Sequence, residues 1–187
     1  MDKRNDERRS KTRTWNVIKM GDEIVNRVAN SRLINIDLSN YAPKQNIAVL
    51  DLKDFLFQGI VLKEKEFRGS LKAFDFSIYT NTTVALNCSA DVVVPMWAFM
   101  LITSYLNSVN ADIHFGLKED VFQQIFTNNI NAIDESEFES KKVIVKGCGQ
   151  IPLTEVLYIA ITKKLQNTVS SLMFGEACSA VPVLKNK

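Results

Sequence analysis

Hydrophobic residues along this chain follow two patterns, one with a period of three to four residues and one of short continuous runs. The first pattern puts apolar side chains on one face of a helix, whereas apolar runs of about five residues are typical of strands covered on both faces. The pattern predicts helices over residues 22–31, 64–74, 95–106, 118–130 and 152–165. It predicts strands over residues 33–38, 47–52, 55–62, 82–87, 111–115, 142–146 and 171–174, followed by a short extended tail.

The order of these elements predicts the fold class. From residue 82 to residue 175 the predicted strands and helices alternate, which is typical of a parallel sheet with helices packed on it. The strands over 47–52 and 55–62 have only a tight connection between them, which favours antiparallel pairing. We therefore expect an α/β fold of three layers, a mostly parallel sheet with helices on both faces, plus an antiparallel or mixed N-terminal extension.

Composition indicates an ordinary globular protein of 187 residues, with 46% hydrophobic and 24% charged side chains. Residues 1–20 hold seven basic and three acidic side chains, which leaves 16 basic (23 − 7) and 18 acidic (21 − 3) side chains in the rest. We expect residues 1–20 to be a basic disordered tail and residues 21–187 to be a single domain. Two alternatives stay open for the tail: an arm that binds nucleic acid or a membrane surface, or a start of the protein at Met20.

The near-neutral body carries no electrostatic footprint for nucleic acid, so we expect no nucleic-acid partner and no membrane partner. The basic head is not followed by the apolar stretch of a signal peptide, and the longest apolar run, residues 92–102, contains Pro95. We therefore expect a cytoplasmic protein. In a reducing compartment, three cysteines are more typical of metal ligands, catalytic groups or packed side chains than of disulfides.

Each cysteine of the chain follows a predicted strand and precedes a proline. Cys88 precedes Pro95, and two cysteine-x-x-x-proline segments begin at Cys148 and Cys178. Strands of a parallel sheet end at one edge and lie about 4.8 Å apart, and helix N-termini at that edge lower thiol pKa values. The segments around Cys88 and Cys148 also resemble each other as strand, cysteine, loop, proline and helix, although two copies are too few to establish a repeat.

Three thiolates would supply most ligands of a zinc or iron–sulfur site. The candidates for a fourth ligand are Asp91, Glu176 and His114, the only histidine. Each also has a structural interpretation: a helix or turn cap, a solvated loop charge, and a structural histidine at a strand end. Three interpretations of the cysteines stay open: packed side chains, ligands of a metal or cluster, or a reactive thiol.

Two other kinds of site are not supported by the motifs. The segment Gly147-Cys-Gly149 follows a strand and precedes Pro152, but it lacks the third glycine of a dinucleotide fingerprint and the lysine–hydroxyl pair of a phosphate loop. We therefore expect no nucleotide. No Gly-x-Ser-x-Gly elbow accompanies the single histidine, so a hydrolytic triad is unsupported and no catalytic residue is assigned.

Several segments together resemble an uncharacterised bacterial family known as domain of unknown function 2480. The matching segments are Asp22-Glu-Ile-Val-Asn-Arg-Val-Ala-Asn-Ser, Asp51-Leu-Lys-Asp-Phe-Leu-Phe-Gln-Gly, Cys88-Ser-Ala-Asp with Val94-Pro-Met-Trp-Ala, Lys146-Gly-Cys, and Met173-Phe-Gly-Glu-Ala-Cys-Ser-Ala-Val-Pro-Val. The resemblance spans nearly the whole chain from Met20 and supports Met20 as the start of the domain. It implies that Cys88, Cys148, Cys178, Asp91 and Glu176 belong to the family's motifs and that His114 does not, which ranks His114 below the two acids.

The resemblance implies no established activity, but members of the family look to be encoded beside iron–sulfur assembly components. Our leading hypothesis is therefore a metal or iron–sulfur site built by Cys88, Cys148 and Cys178 with Asp91 or Glu176 nearby. It carries iron–sulfur assembly proteins as possible partners. The alternatives are a thiol redox or sulfur-transfer enzyme, and a non-enzymatic interaction protein with structural cysteines whose function lies in an exposed apolar face or in the basic head.

Overall fold

The computed structural model describes residues 33–147 and 151–186. The predicted tail over residues 1–20, the predicted helix over residues 22–31 and Cys148 lie outside the described residues. The strands are β1 (Leu33–Asp37), β2 (Ile47–Asp51), β3 (Thr83–Asn87), β4 (Asp112–Phe115), β5 (Lys142–Lys146), β6 (Ser171–Phe174) and β7 (Val181–Lys185). The helices are α1 (Glu64–Ala73), α2 (Met96–Asn107), α3 (Lys118–Asn131) and α4 (Glu155–Leu165), and four short 3-10 turns cover Leu38–Tyr41, Leu52–Phe55, Phe76–Tyr79 and Glu135–Phe138.

Most predicted elements lie within a few residues of their observed bounds, but the predicted strand over residues 55–62 was wrong. Residues Leu52–Phe55 form a 3-10 turn, and Phe57 and Val61 form one isolated antiparallel bridge. Gln58 (φ 51°) and Gly59 (φ 72°) lie between them in the left-handed region, so the backbone reverses before a strand can extend.

The strands form two sheets. Sheet A has the order β1-β5-β6-β7 and sheet B has the order β2-β3-β4. All their pairings are parallel except that of β6 with β7, so the expectation of a mostly parallel α/β fold is confirmed. The antiparallel part was placed wrongly, because it lies at the C-terminal end and not in the N-terminal half. The reason is connectivity: β6 and β7 are joined by six residues, whereas β1 and β2 pair with strands that follow a helix.

Sheets A and B belong to two copies of one structural unit. Copy 1 (residues 47–116) holds β2, α1, β3, α2 and β4, and copy 2 (residues 33–46 and 117–175) holds β1, α3, β5, α4 and β6 in the same order. Copy 1 is therefore inserted into copy 2, after its first strand. From residue 67 to residue 116 each position of copy 1 corresponds to the position 59 residues later (142 − 83 for the first residues of β5 and β3).

Hydrogen bonds and identical residues support the equivalence of the copies. The Gly116 N–H donates to Leu86 O at 3.1 Å, and the equivalent Gly175 N–H donates to Val145 O at 3.0 Å. The carboxylates of Asp75 and Asp134 each accept the N–H of the serine two residues later at 3.0 Å. The residues that are identical at this offset are Phe67/Phe126, Ala73/Ala132, Asp75/Asp134, Ser77/Ser136, Val84/Val143, Ile102/Ile161, Thr103/Thr162, Leu106/Leu165, Phe115/Phe174 and Gly116/Gly175.

Helix α3 packs against both sheets. Phe126 and Ile130 of α3 join α4 in the core of copy 2, while Val121 near its N-terminus packs on Ile47 and Ala85 of sheet B. Helices α1 and α2 cover the opposite face of sheet B. Sheet B therefore has helices on both faces, as expected, and α3 lies between sheet B and sheet A.

The connections of α3 align the two sheets. Only Gly116 and Leu117 separate β4 from α3, so α3 begins at the carboxyl edge of sheet B. The helix ends shortly before the turn that leads into β5, so its C-terminus lies toward the amino edge of sheet A. The carboxyl edges of both sheets therefore lie at the end of the molecule where α3 begins.

Candidate thiolate site

Cys88 follows β3 at the carboxyl edge of sheet B. Its side chain is half-buried beside the core of copy 1, and its sulfur lies 3.8 Å from Ala90 O. Asp91 lies exposed in the turn that follows. The structure therefore puts these two predicted ligands on one loop, with the thiol partly inside and the carboxylate in solvent.

Asp51 fixes the start of that loop. Its Oδ1 accepts the N–H of Lys53 at 2.9 Å and the N–H of Ser89, from the next strand along, at 3.0 Å. Partial burial raises the pKa of Asp51, but hydrogen bonds from Ser89 and Lys53 outweigh it, so the pKa lies below its ordinary value of 3.8. The ionised carboxylate thus joins the ends of β2 and β3 beside Cys88.

Asn87 is a polar residue of this edge that the sequence analysis missed. Its side chain is 9% exposed, its Nδ2 lies 3.5 Å from Gly116 O, and its Oδ1 has no hydrogen-bond partner. The available signal was a polar residue ending an otherwise apolar strand. His114, in contrast, lies within β4, with ring nitrogens 3.0 Å from Asp112 Oδ2 and 3.2 Å from Gln124 Oε1, which gives it partners in β4 and α3.

The carboxyl edge of sheet A holds the remaining predicted ligands. Lys146, the last residue of β5, lies with its Nζ 3.5 Å from Glu176 Oε1 in the loop after β6. Cys178 is exposed two residues beyond Glu176, and Cys148 comes two residues beyond Lys146 in the sequence. The ion pair therefore brings the β6–β7 loop to the end of β5, close in sequence to both cysteines.

Gly147 fixes the chain between Lys146 and Cys148 because it is packed beneath the start of α4. A Cβ at this position would overlap Leu153 Cδ1 and lie 2.8 Å from the Tyr158 hydroxyl oxygen. The Tyr158 ring is itself held edge-on to Phe174 of β6, with 5.6 Å between ring centroids. Only glycine fits this contact without rearrangement.

The two sheets separate Cys88 from Cys178. Because α3 lies between sheets A and B and each packed layer adds about 10 Å, the two carboxyl edges are about 20 Å apart. The expectation of one sheet edge shared by three cysteines was therefore wrong for Cys88, because β3 pairs with β2 and β4 and not with β5.

Neither described cysteine is in a disulfide, and residues 33–147 and 151–186 contain no group of three histidine, cysteine, aspartate or glutamate side chains that could hold a metal ion. The approach of the three sulfur atoms stays a prediction, since Cys148 lies outside the described residues.

Comparison with known proteins identifies the family. A family model described as "Protein of unknown function (DUF2480)" matches residues 22–186. The chain belongs to this family. The resemblance read from its sequence motifs is thus confirmed, and DUF2480 names a domain without an assigned activity.

No curated protein and no solved structure matches this DUF2480 chain. Among the helices that the structure describes, none is long and apolar enough to cross a membrane.

Proposed function

We propose that this DUF2480 protein binds a metal at the carboxyl edge of sheet A, through the thiolates of Cys148 and Cys178 and the carboxylate of Glu176. Zinc or an iron–sulfur cluster suits such a ligand set, with an open position for water, substrate or a partner. The observation that carries the proposal is the contact of Lys146 with Glu176 at 3.5 Å.

The covalent chain limits how far the two cysteines can lie from that contact. Consecutive Cα atoms are 3.8 Å apart, so the Cα of each cysteine lies within about 7.6 Å of the Cα of its neighbour in the ion pair. Strands β5 and β6 are adjacent and in register, with Val145 opposite Phe174. The Lys146 ammonium also stabilises nearby thiolates, which are the protonation state that binds metal.

The proposal leaves out Cys88 and Asp91, which follow a strand of sheet B. This difference provides a matched control, since a Cys88→Ser substitution removes a half-buried thiol at the same end of the molecule but in the other sheet. The full chain and the variants Cys88→Ser, Cys148→Ser and Cys178→Ser are purified without oxygen, and their zinc, iron and acid-labile sulfide are measured.

We expect near-stoichiometric metal in the unsubstituted chain and in Cys88→Ser, and at least a tenfold lower metal content in the other two variants. A chain that stays metal-free after anaerobic reconstitution with zinc or with iron and sulfide contradicts the proposal. An equal loss of metal in Cys88→Ser would also contradict it.

A second candidate function is thiol redox exchange by the same two cysteines. The exposure of Cys178 favours it, because an accessible thiol near a lysine is reactive toward disulfides. Treatment with a small disulfide should then link Cys148 to Cys178 within one chain, leave Cys88 free, and be reversed by a dithiol. A linkage pattern without preference for this pair, measured by peptide mass mapping, argues against the redox function.

A further inference from the structure

Copy 1 exposes a set of large apolar side chains next to the free edge of sheet B, which we call the β4 patch. Its members are Val93 (94% exposed), Met96 (73%), Met100 (73%), Phe115 (72%) and Leu117 (56%). The Phe115 ring lies edge-on to Phe99 of α2 at 5.6 Å, so the patch is continuous from the helix to the strand.

The size of the β4 patch exceeds what a monomer usually leaves in water. At roughly 150–200 Å² for each fully exposed large side chain, these exposures amount to roughly 500–700 Å² of apolar surface. One side of a stable protein interface buries about 800 Å². The patch with the adjoining backbone of β4 is therefore large enough to form most of one side of such an interface.

Strand β4 also presents unpaired backbone groups at the edge of sheet B. The N–H groups of Asp112 and Gly116 donate to Thr82 O and Leu86 O, on the β3 side of β4. Backbone groups of a strand alternate in direction, so the N–H and C=O groups of Ile113 and Phe115 point away from β3. An exposed apolar strand edge of this kind pairs readily with another strand.

The equivalent edge in copy 2 shows what such an edge accepts. There β7 pairs antiparallel with β6, and Leu184 and Val181 lie opposite Leu172 and Phe174, the equivalents of Ile113 and Phe115. The groove beside β6, a cavity of about 280 Å³, is lined partly by Val183 of β7. The equivalent groove beside β4, lined by Leu86, Met96, Phe99, Thr103, Ile113 and Phe115, is larger, at about 530 Å³, and no strand borders it among the described residues.

We propose that a second copy of this chain occupies the β4 edge, with the two β4 strands paired antiparallel across a two-fold axis. Residues directly opposite each other in an antiparallel pair point to the same face, so Ile113 of each copy can lie opposite Phe115 of the other. Each Met96 and Met100 then covers the apolar side chains of the facing strand.

The charges agree with such an interface. All five members of the β4 patch are uncharged, so no two like charges meet on that face. Asp112 is exposed at the start of β4, where its Oδ2 lies 3.0 Å from His114 Nε2. The paired strands would join two copies of sheet B into one sheet of six strands, in the isologous manner common to dimers.

The test is the mass of the full chain in solution, measured by sedimentation equilibrium over a wide range of concentration. We expect twice the 21.2 kDa of the single chain. Phe115→Lys should weaken association at least tenfold, because it puts a charge at the centre of the interface. The control Ile78→Lys changes another exposed residue of copy 1 (63% exposed), away from β4, and should leave association unchanged.

Amide hydrogen exchange supplies a second measurement that does not depend on a variant. The amides of Ile113 and Phe115 should become protected as concentration rises, whereas those of Leu172 and Phe174, already paired with β7, should stay protected throughout. A chain that stays monomeric at every concentration overturns the proposal. So does a dimer that persists in Phe115→Lys, or a complex in which a different protein occupies the β4 edge.

Discussion

Gly147→Ala tests whether the packing at the end of β5 is as tight as the structure shows. The added methyl group would overlap Leu153 and approach the Tyr158 hydroxyl oxygen to 2.8 Å. Leu153 can rotate away, but the Tyr158 ring is held against Phe174. Part of the strain must therefore be absorbed by the start of α4 or by the backbone next to Cys148.

The magnitude follows from the cost of overpacking. An extra methyl group in a close-packed site costs about 1–3 kcal/mol, and we expect Gly147→Ala to lower the free energy of unfolding by that amount. Gly69→Ala is the matched control, because Gly69 lies on an exposed part of α1 with nothing within 4 Å of the added Cβ. Alanine there should stabilise the helix by about 1 kcal/mol.

Urea denaturation followed by circular dichroism measures both variants. The midpoint should fall for Gly147→Ala and rise for Gly69→Ala, with an unchanged slope in each case. A Gly147→Ala variant at least as stable as the unsubstituted chain would refute the reasoning, since it would show that Leu153 and Tyr158 yield without cost. Gly147→Ala should also lower metal content under the proposed function, and Gly69→Ala should not.

Three further predictions concern the carboxylate and the cores that hold the copies together. Asp51→Ala should lower the free energy of unfolding by about 1–2 kcal/mol, because two backbone N–H groups lose their acceptor, whereas Asp91→Ala should change it by less than about 0.5 kcal/mol. The pKa of Asp51 is lower in the folded chain than its ordinary value, so its stabilisation is present above pH 3.8 and is lost as pH falls through the lowered pKa. The gap between Asp51→Ala and the unsubstituted chain should therefore close in acid, and a gap independent of pH would contradict this account. Phe67→Ala and Phe126→Ala should each cost about 3–5 kcal/mol in calorimetry, because both rings are fully buried at equivalent positions, and a much smaller loss in either would show that the copies are not packed alike.

Local elements were predictable from this sequence because their signals are local. Val121, Phe126 and Ile130 recur at helical spacing, and α3 forms where that spacing predicts it. The α/β class followed from the order of the elements. Strand partners did not follow, since nothing in the apolar run of β3 distinguishes a place beside β2 and β4 from a place beside β5.

The candidate site was predicted in part for the same reason. The position of each cysteine after a strand was readable, but the assumption of a single sheet brought Cys88 to the wrong edge. The resemblance between the Cys88 and Cys148 segments was also misaligned, since these cysteines are 60 residues apart (148 − 88) and the copies are offset by 59. Cys148 corresponds to Ser89. The pair Asp75-x-Ser77 and Asp134-x-Ser136 carries the correct offset and was the signal that could have revealed the duplication.

Insertion of copy 1 within copy 2 has a consequence for folding during synthesis. Leu33 of β1 pairs with Lys142 of β5, which the ribosome adds 109 residues later (142 − 33). At about 5–20 residues per second, β1 waits roughly 5–20 s for its neighbour, while copy 1 has already emerged and can fold. The newborn chain therefore carries an unpaired apolar strand ahead of a finished unit, and this is the interval in which a chaperone would have its greatest effect on the yield of folded protein.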